Sequence, residues 1–100
     1  MSKIGGGEPV RFQPMRGCGT VRMQRIIHAF LEAFPELPPP VQQEIRDVIE
    51  TTARGQAEGR ALYAVLLRGK SPETASRETL VPVGRIYELR RAFYAAYRPI

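Results

Sequence analysis

The last third of the chain contains two helix starts that are eleven residues apart, and this spacing restricts the fold more than any other feature. Ser71-Pro72-Glu73 combines a capping serine, a first-turn proline and an acid at the positive end of the helix dipole. Pro82 can open a second helix after a short apolar turn. The sequence therefore predicts a short helix over residues 71–79, a turn, and a last helix from Pro82 to about Tyr97.

The residues before this segment predict three more helices, separated by helix-breaking residues. Thr20 is a suitable cap for a first helix that Pro35 ends, and Pro40 can open a second helix that reaches about residue 54. A third helix follows over residues 57–68, and Gly69 closes it. No run alternates between apolar and polar residues as a strand does. The predicted fold is all-α, with about five helices, of which the last three form a C-terminal trihelical helix-turn-helix.

The expected domain organisation is one helical unit behind an N-terminal arm. Residues 1–19 are rich in Gly and Pro and have no period, which predicts a flexible basic arm. Residues 20–100 form the predicted helical domain. Within it, residues 20–54 supply the N-terminal helices and an expected dimer surface, and residues 57–97 supply the helix-turn-helix.

Apolar residues at helical spacing define the predicted core. The first two helices carry apolar stripes over Met23–Phe34 and Val41–Ile49, which we expect to build both the core and the dimer contact. The core of the helix-turn-helix is expected to consist of Leu62, Val65, Leu66, Ala75, Ile86, Leu89 and Phe93, with Val81 tucked inward from the turn.

Charge is distributed unevenly along the chain, whose net charge is +5. Residues 1–25 and 60–100 are basic, and the residues between them are acidic. A basic excess on the candidate helix-turn-helix fits an electrostatic surface for nucleic acid. The alternative is that these charges are a solvated face of an amphipathic helix.

The outward face of the last helix and the start of the short helix carry the candidate DNA contacts. In a helix-turn-helix, the second helix reads base edges in the major groove and the first crosses the phosphate backbone. Arginine can pair bidentately with guanine, and Glu with cytosine N4. The predicted base-reading residues are Gly84, Arg85, Tyr87, Glu88 and Arg91. The predicted phosphate contacts are Lys70, Ser71, Thr74, Arg77 and Arg90.

Several other function classes lack their sequence signals. There is no Ser/His/Asp set, no paired carboxylates in an apolar setting and no phosphate-binding glycine loop, so we expect no enzyme and no cofactor. The single cysteine, Cys18, excludes an internal disulfide, and no Cys/His group has zinc spacing, so no metal site is expected. No apolar run approaches the roughly 20 residues of a membrane span, and no signal peptide is recognisable. We expect a bacterial cytoplasmic protein associated with the nucleoid.

Residues Val65–Tyr97 resemble the helix-turn-helix of the KorA/TrfB family of plasmid transcriptional repressors. The likeness lies in Gly69-Lys70 after an aliphatic helix end, in a short helix and apolar turn, in Gly84-Arg85-Ile86, and in the R-A-F-Y-A-A-Y finish. The resemblance implies repression by a dimer on a palindromic operator in double-stranded DNA. The family has glycine near the turn, where this chain has Thr79-Leu80. The family's dimerising segment follows the helix-turn-helix, so here we expect the first two helices to provide the dimer surface.

The leading hypothesis is a sequence-specific DNA-binding regulator, a homodimeric repressor of plasmid, phage or other mobile-element genes. A rival hypothesis is a small helical interaction module that binds and inhibits a host protein such as RNA polymerase. Its acidic middle third and apolar first helix would then form the working surface. A third hypothesis is an RNA-binding helical protein that uses the basic last helix. Salt dependence distinguishes the first two, because binding through several phosphates weakens steeply with salt.

Overall fold

The computed structural model describes residues 14–99, which form five α-helices and one turn of 3-10 helix. The helices are α1 (Val21–Glu32), α2 (Pro39–Thr52), α3 (Gln56–Leu67), α4 (Pro72–Thr79) and α5 (Val83–Ala96), and the 3-10 turn (Phe34–Glu36) joins α1 to α2. No strand occurs in this range. The all-α prediction is confirmed, and the helix bounds lie within two residues of those expected.

Local capping explains where the helices begin and end. The Thr20 hydroxyl accepts a hydrogen bond from the Met23 backbone N–H at 3.1 Å, and the Ser71 hydroxyl accepts one from the Thr74 N–H at 3.1 Å. Both are N-cap interactions that satisfy otherwise unpaired amides. At the end of α3, Gly69 adopts a φ of 68° that favours glycine. The three cap signals read from the sequence, at Thr20, Gly69 and Ser71, are therefore used as predicted.

Two apolar clusters hold the helices together. The larger cluster joins α1, α2, α3 and α5, and the smaller one joins α3, α4 and α5 beneath the turn. The larger comprises Cys18, Ile27, Leu31, Ile45, Ile49, Leu62, Leu66, Leu89, Phe93, Tyr94 and Tyr97. The smaller comprises Ala61, Ala64, Ala75, Val81 and Ile86, with Val65 packed against it. The predicted core residues of the helix-turn-helix are thus buried, apart from Val65, which is half-buried.

The start of the folded unit differs from the prediction. The part of the expected flexible arm that the structure describes, residues 14–19, packs against the helices. The Gln24 amide bonds to both backbone groups of Met15 and to the Gly19 carbonyl, and the Cys18 side chain is fully buried. The predicted boundary between Gly19 and Thr20 is therefore wrong for this stretch, because one buried amide and one buried thiol tie it to the core. The remainder of the predicted arm, residues 1–13, lies outside the described residues.

The turn between α4 and α5 contains a backbone conformation that glycine usually supplies. Leu80 has a φ of 65°, in the left-handed region, and its side chain is 87% exposed. Its backbone N–H donates to the Ser76 carbonyl at 2.8 Å, which closes α4. A non-glycine residue in this region costs roughly 1–2 kcal/mol. The turn therefore has the geometry in which helix-turn-helix proteins often place glycine, but at an energetic cost.

Replacing Leu80 by asparagine is expected to raise the free energy of unfolding by about 0.5–1 kcal/mol. Asparagine tolerates the left-handed region better than leucine, and the exposed leucine side chain contributes little burial. Chemical denaturation measures the change. Val83→Asn is the matched control, because Val83 is also exposed but lies in α5. If Val83→Asn raised the free energy of unfolding as much as Leu80→Asn, or if Leu80→Asn did not raise it, Leu80 would not be strained.

Candidate nucleic-acid interface

Helices α3, α4 and α5 form a tightly packed three-helix unit. Ala61 and Ala64 of α3 and Ala75 of α4 are buried in the same cluster. These small side chains let two helices approach closely, and Ala75 is completely buried. Val81 and Ile86 fill the space beneath the turn. The position of α5 relative to α4 is thus determined by packing rather than by a loose connection.

The face of α5 opposite this core is open. Ile86, Leu89 and Phe93 point inward and are 0–1% exposed. The residues on the side of α5 away from these three, and the residues of its first turn, are exposed. Together they are Val83, Gly84, Glu88, Arg91, Ala92 and Ala95. Apart from its chain neighbours and the backbone of its own helix, no described atom lies within 4 Å of where a Cβ on Gly84 would stand. The first three turns of α5 therefore present an uncovered face that contains three of the five predicted base-reading residues.

Arg85 has a different environment from the one the sequence predicts. Its Nε lies 2.9 Å from Glu58 Oε2, and its Nη2 lies 3.1 Å from Glu58 Oε1. This is a two-pronged ion pair between α5 and α3. A third nitrogen, Nη1, lies 3.2 Å from Glu88 Oε1. Arg85 thus lies on the flank of α5 that faces α3, and its guanidinium is shared between two carboxylates.

The ion pair between Glu58 and Arg85 also shifts the pKa of both side chains. The hydrogen bond from Arg85, followed by the one from the Arg54 backbone N–H, lowers the pKa of Glu58 below its ordinary value. The hydrogen bonds to Glu58 and Glu88 raise the pKa of Arg85. Both groups are therefore charged at neutral pH. Glu58 was not a predicted site residue, and no local pattern identifies it, because its partner is 27 positions away in the sequence.

Tyr87 and Arg90 lie together on the other flank of α5. The Tyr87 hydroxyl donates to Glu73 Oε2 of α4 at 3.4 Å, and the Arg90 guanidinium carbon lies 5.1 Å from the centre of the Tyr87 ring. Both side chains are half-buried. Within residues 14–99, the buried Nε of Arg90 has no hydrogen-bond partner. Tyr87 and Arg90 therefore belong to the edge of the open face rather than to its centre.

Of the four predicted phosphate contacts in α4 and its preceding loop, three side chains already have close partners and the fourth, Arg77, does not. Lys70 Nζ lies 2.9 Å from both carboxylate oxygens of Glu78. Ser71 and Thr74 bond to each other across the helix cap. Arg77 is exposed, and among residues 14–99 its one hydrogen bond is a long one, 3.4 Å, to the Thr74 hydroxyl. Of this group, Arg77 is the cation most available to a phosphate.

The acids of this unit are all bonded within it. Each carboxylate in α3–α5 has a partner: Glu58 and Glu88 bond to Arg85, Glu73 bonds to Tyr87, and Glu78 bonds to Lys70. In contrast, no acid among the described residues lies within ion-pair distance of Arg77, Arg90 or Arg91. Arginines without an acid within ion-pair distance among the described residues thus lie on α4 and on the outward and edge positions of α5, and also at Arg60 and Arg68 of α3 and its C-terminal end.

The described residues were also searched for metal-ligand groups and membrane-spanning helices. Residues 14–99 contain no group of three or more His, Cys, Asp or Glu side chains that could hold a metal ion. Among the helices described, none has the length and apolar character to cross a membrane. A scan against protein-family models and searches of curated proteins and of solved structures found no match to this chain. The resemblance to the KorA/TrfB repressors therefore rests on residues Val65–Tyr97 alone and stays a prediction.

Proposed function

We propose that this chain is a sequence-specific DNA-binding regulator of transcription, a homodimeric repressor of plasmid, phage or other mobile-element genes. One observation carries the proposal. The second helix of a tightly packed helix–turn–helix unit has its inner face buried and the outer face of its first three turns uncovered. Such a helix fits the major groove of B-DNA, which is about 12 Å wide.

The open face of α5 has a length suited to a short base sequence. Val83 and Arg91 are eight residues apart, and eight residues of α-helix rise about 12 Å. Base pairs are about 3.4 Å apart, so this face spans three to four of them. In a palindromic operator each protomer would read one half-site, with the two α5 helices about one helical turn of DNA apart.

Four residues of the open face have chemistry that suits base recognition. Val83 can contact a thymine methyl group, and Gly84 lets the helix backbone approach the bases. Glu88 can accept a hydrogen bond from cytosine N4, and Arg91 can donate to guanine or to a phosphate. The set of base-reading residues predicted from the sequence is thereby extended by Val83, which is 36% exposed.

Arg85 takes a supporting role in this proposal. Its ion pair with Glu58 links the start of α5 to α3, and its bond to Glu88 orients the carboxylate that faces outward. Arg85 is therefore proposed to position Glu88 and the first turns of α5 rather than to bond to a base. Arg77 and Arg90, which have no acid within ion-pair distance among residues 14–99, are proposed to contact phosphates on either side of the groove.

The experiment that tests the proposal is selection of binding sites from a library of random DNA duplexes, followed by affinity measurements at several salt concentrations. We expect a palindromic site bound at least about a thousandfold more tightly than random duplex. The affinity should fall with salt in proportion to the phosphates contacted. Arg77→Ala should lower the salt slope by about one while leaving the selected sequence unchanged.

The control for this experiment is Arg60→Ala. Arg60 is exposed in the groove between α2 and α3, away from the open face of α5, and the variant loses the same charge as Arg77→Ala. Its salt slope should match that of the parent chain. Selection that enriches no sequence, or binding that does not respond to salt, would reject the proposed function.

A further inference from the structure

The outward face of α1 is an apolar surface left uncovered by the described residues. Of the four large apolar side chains exposed in residues 14–99, two lie on this face: Val21 is 45% exposed and Ile26 is 38% exposed. Exposed Ala29 continues the strip, and a shallow depression of about 470 Å³ runs along it. The other two, Leu80 and Val83, belong to the turn and open face already described.

The predicted dimer contact on α1 has to be reassigned. The stripe expected to serve both core and dimer is used by the core, since Ile27 and Leu31 are 0% and 4% exposed. In α2, Ile45 and Ile49 are likewise buried. These residues are not available to a second chain. The apolar residues of α1 that are exposed lie on the opposite face, which carries Val21, Ile26 and Ala29.

Charges of opposite sign stand at the two ends of this face. Arg22 and Arg25 lie in the N-terminal half of α1, and Glu32, whose side chain is 67% exposed, ends the helix. Arg22 and Glu32 are ten residues apart, which is about 15 Å along a helix. They cannot pair within one chain. A second copy of α1 running antiparallel would place each Arg22 beside the other copy's Glu32.

We propose that the outward face of α1 binds a second copy of this chain about a two-fold axis. The two helices run antiparallel, with Ile26 and Ala29 near the axis and an Arg22–Glu32 pair at each end. Such a surface is self-complementary, as a two-fold interface requires. The inference rests on the homodimer of the proposed function and identifies the surface that forms it.

The size of the surface determines the strength of the expected dimer. A 12-residue helix is about 18 Å long, and two such helices bury less than the roughly 1,200–2,000 Å² of a standard stable interface. The dimer is therefore expected to be weak and to dissociate on dilution. A pair of DNA half-sites would hold two chains together and offset that weakness.

Mass in solution, measured by sedimentation velocity over a wide range of concentrations without DNA, tests the inference. The parent chain should pass from monomer to dimer as concentration rises. Arg22→Glu and Glu32→Arg should each raise the dimer dissociation constant roughly tenfold or more, because each places like charges at both ends of the interface. The double variant should restore the parent value, and an equimolar mixture of the two single variants should form a mixed dimer.

The design separates loss of pairing from loss of folding. A glutamate at position 22 and an arginine at position 32 both match the polarity of the helix dipole, so neither swap should unfold α1. Glu32 also accepts a bond from His28 at 3.3 Å, but the double variant loses that bond too, so it cannot account for a rescue. Glu50→Arg, at an exposed position of α2, is the control and should dimerise like the parent.

The outcomes also separate this inference from the proposed function. A chain that stays monomeric at every concentration, single swaps without effect, or a double variant that does not recover would each overturn the α1 interface. A monomer that still selects a DNA sequence would leave DNA binding in place. A dimer that follows the charge-swap pattern but selects no DNA would reject the proposed function and support the interface.

Discussion

Replacing Arg91 by glutamate is expected to lower the affinity of the chain for its selected DNA site by about a hundredfold or more. Arg91 is exposed on the open face of α5, and no acid in residues 14–99 lies within ion-pair distance of it. A lost arginine contact to guanine costs about 1–3 kcal/mol. The introduced carboxylate adds repulsion from the phosphates to this loss. Fluorescence anisotropy with a labelled duplex at one salt concentration measures the change.

The control for this variant is Arg60→Glu, which makes the same change in net charge on a surface between α2 and α3. Charges separated by more than about 10 Å are largely screened at ordinary ionic strength, so its affinity should change by only a few-fold. Equal losses in the two variants would mean that net charge, and not the face of α5, determines binding.

Replacing Gln24 by leucine is expected to lower the free energy of unfolding by about 3 kcal/mol. The side chain is 1% exposed. Its amide oxygen accepts the Met15 N–H at 2.7 Å, and its amide nitrogen donates to the Met15 and Gly19 carbonyls at 2.8 and 3.1 Å. Leucine has a similar volume but makes none of these bonds. Each buried backbone group left without a partner costs about 1–3 kcal/mol.

Chemical denaturation measures the loss, and Gln43→Leu is the control. Gln43 is exposed, and within the described part of the chain its side chain bonds to the Asp47 carboxylate alone, on the helix surface, so its replacement should change stability by less than about 0.5 kcal/mol. The reactivity of the Cys18 thiol is a second measurement, which reports whether residues 14–19 have loosened from the core. Cys18 is fully buried and its pKa is raised by burial, so its thiol should react faster in Gln24→Leu. If Gln24→Leu were as stable as the parent chain and its Cys18 thiol reacted no faster, Gln24 would not anchor residues 14–19.

The helices could be predicted from the sequence because their signals are local. Thr20, Ser71 and Gly69 act through backbone groups within a few residues, and Pro35 interrupts helix geometry by itself. The apolar spacing that gave Ile86, Leu89 and Phe93 as inward residues is likewise a property of one helix. These features depend on neighbours in the chain, so no knowledge of the tertiary fold was needed.

The features that could not be predicted depend on contacts between distant segments. The Glu58–Arg85 pair joins residues 27 positions apart, and the spacing of α5 alone made Arg85 resemble an outward residue. Residues 14–19 have a composition typical of a flexible segment, yet Gln24 and the core bind them. The left-handed Leu80 runs against its own backbone preference, which the packing of Val81 and Ile86 beneath the turn overrides.

The ion pair between Arg85 and Glu58 distinguishes two possible DNA-binding faces of α5. An interface centred on Arg85 would read guanine from the flank of α5 that faces α3. An interface centred on Val83, Gly84, Glu88 and Arg91 reads from the outer side of the helix, where the described residues leave it open. The two alternative faces are about a quarter of a turn apart around α5. DNA binding would therefore affect the backbone amides of different residues in each case.

Backbone amide chemical shifts, followed by NMR while the selected duplex is titrated into the chain, test the DNA-binding claim most directly. We expect the largest changes at Val83, Gly84, Glu88 and Arg91, with smaller changes at Arg77 and near the start of α4. The amides of Arg46 and Arg60 in the groove between α2 and α3 should change little. Changes concentrated in that groove, or the absence of changes along the outer face of α5, would show that α5 does not bind DNA through this face.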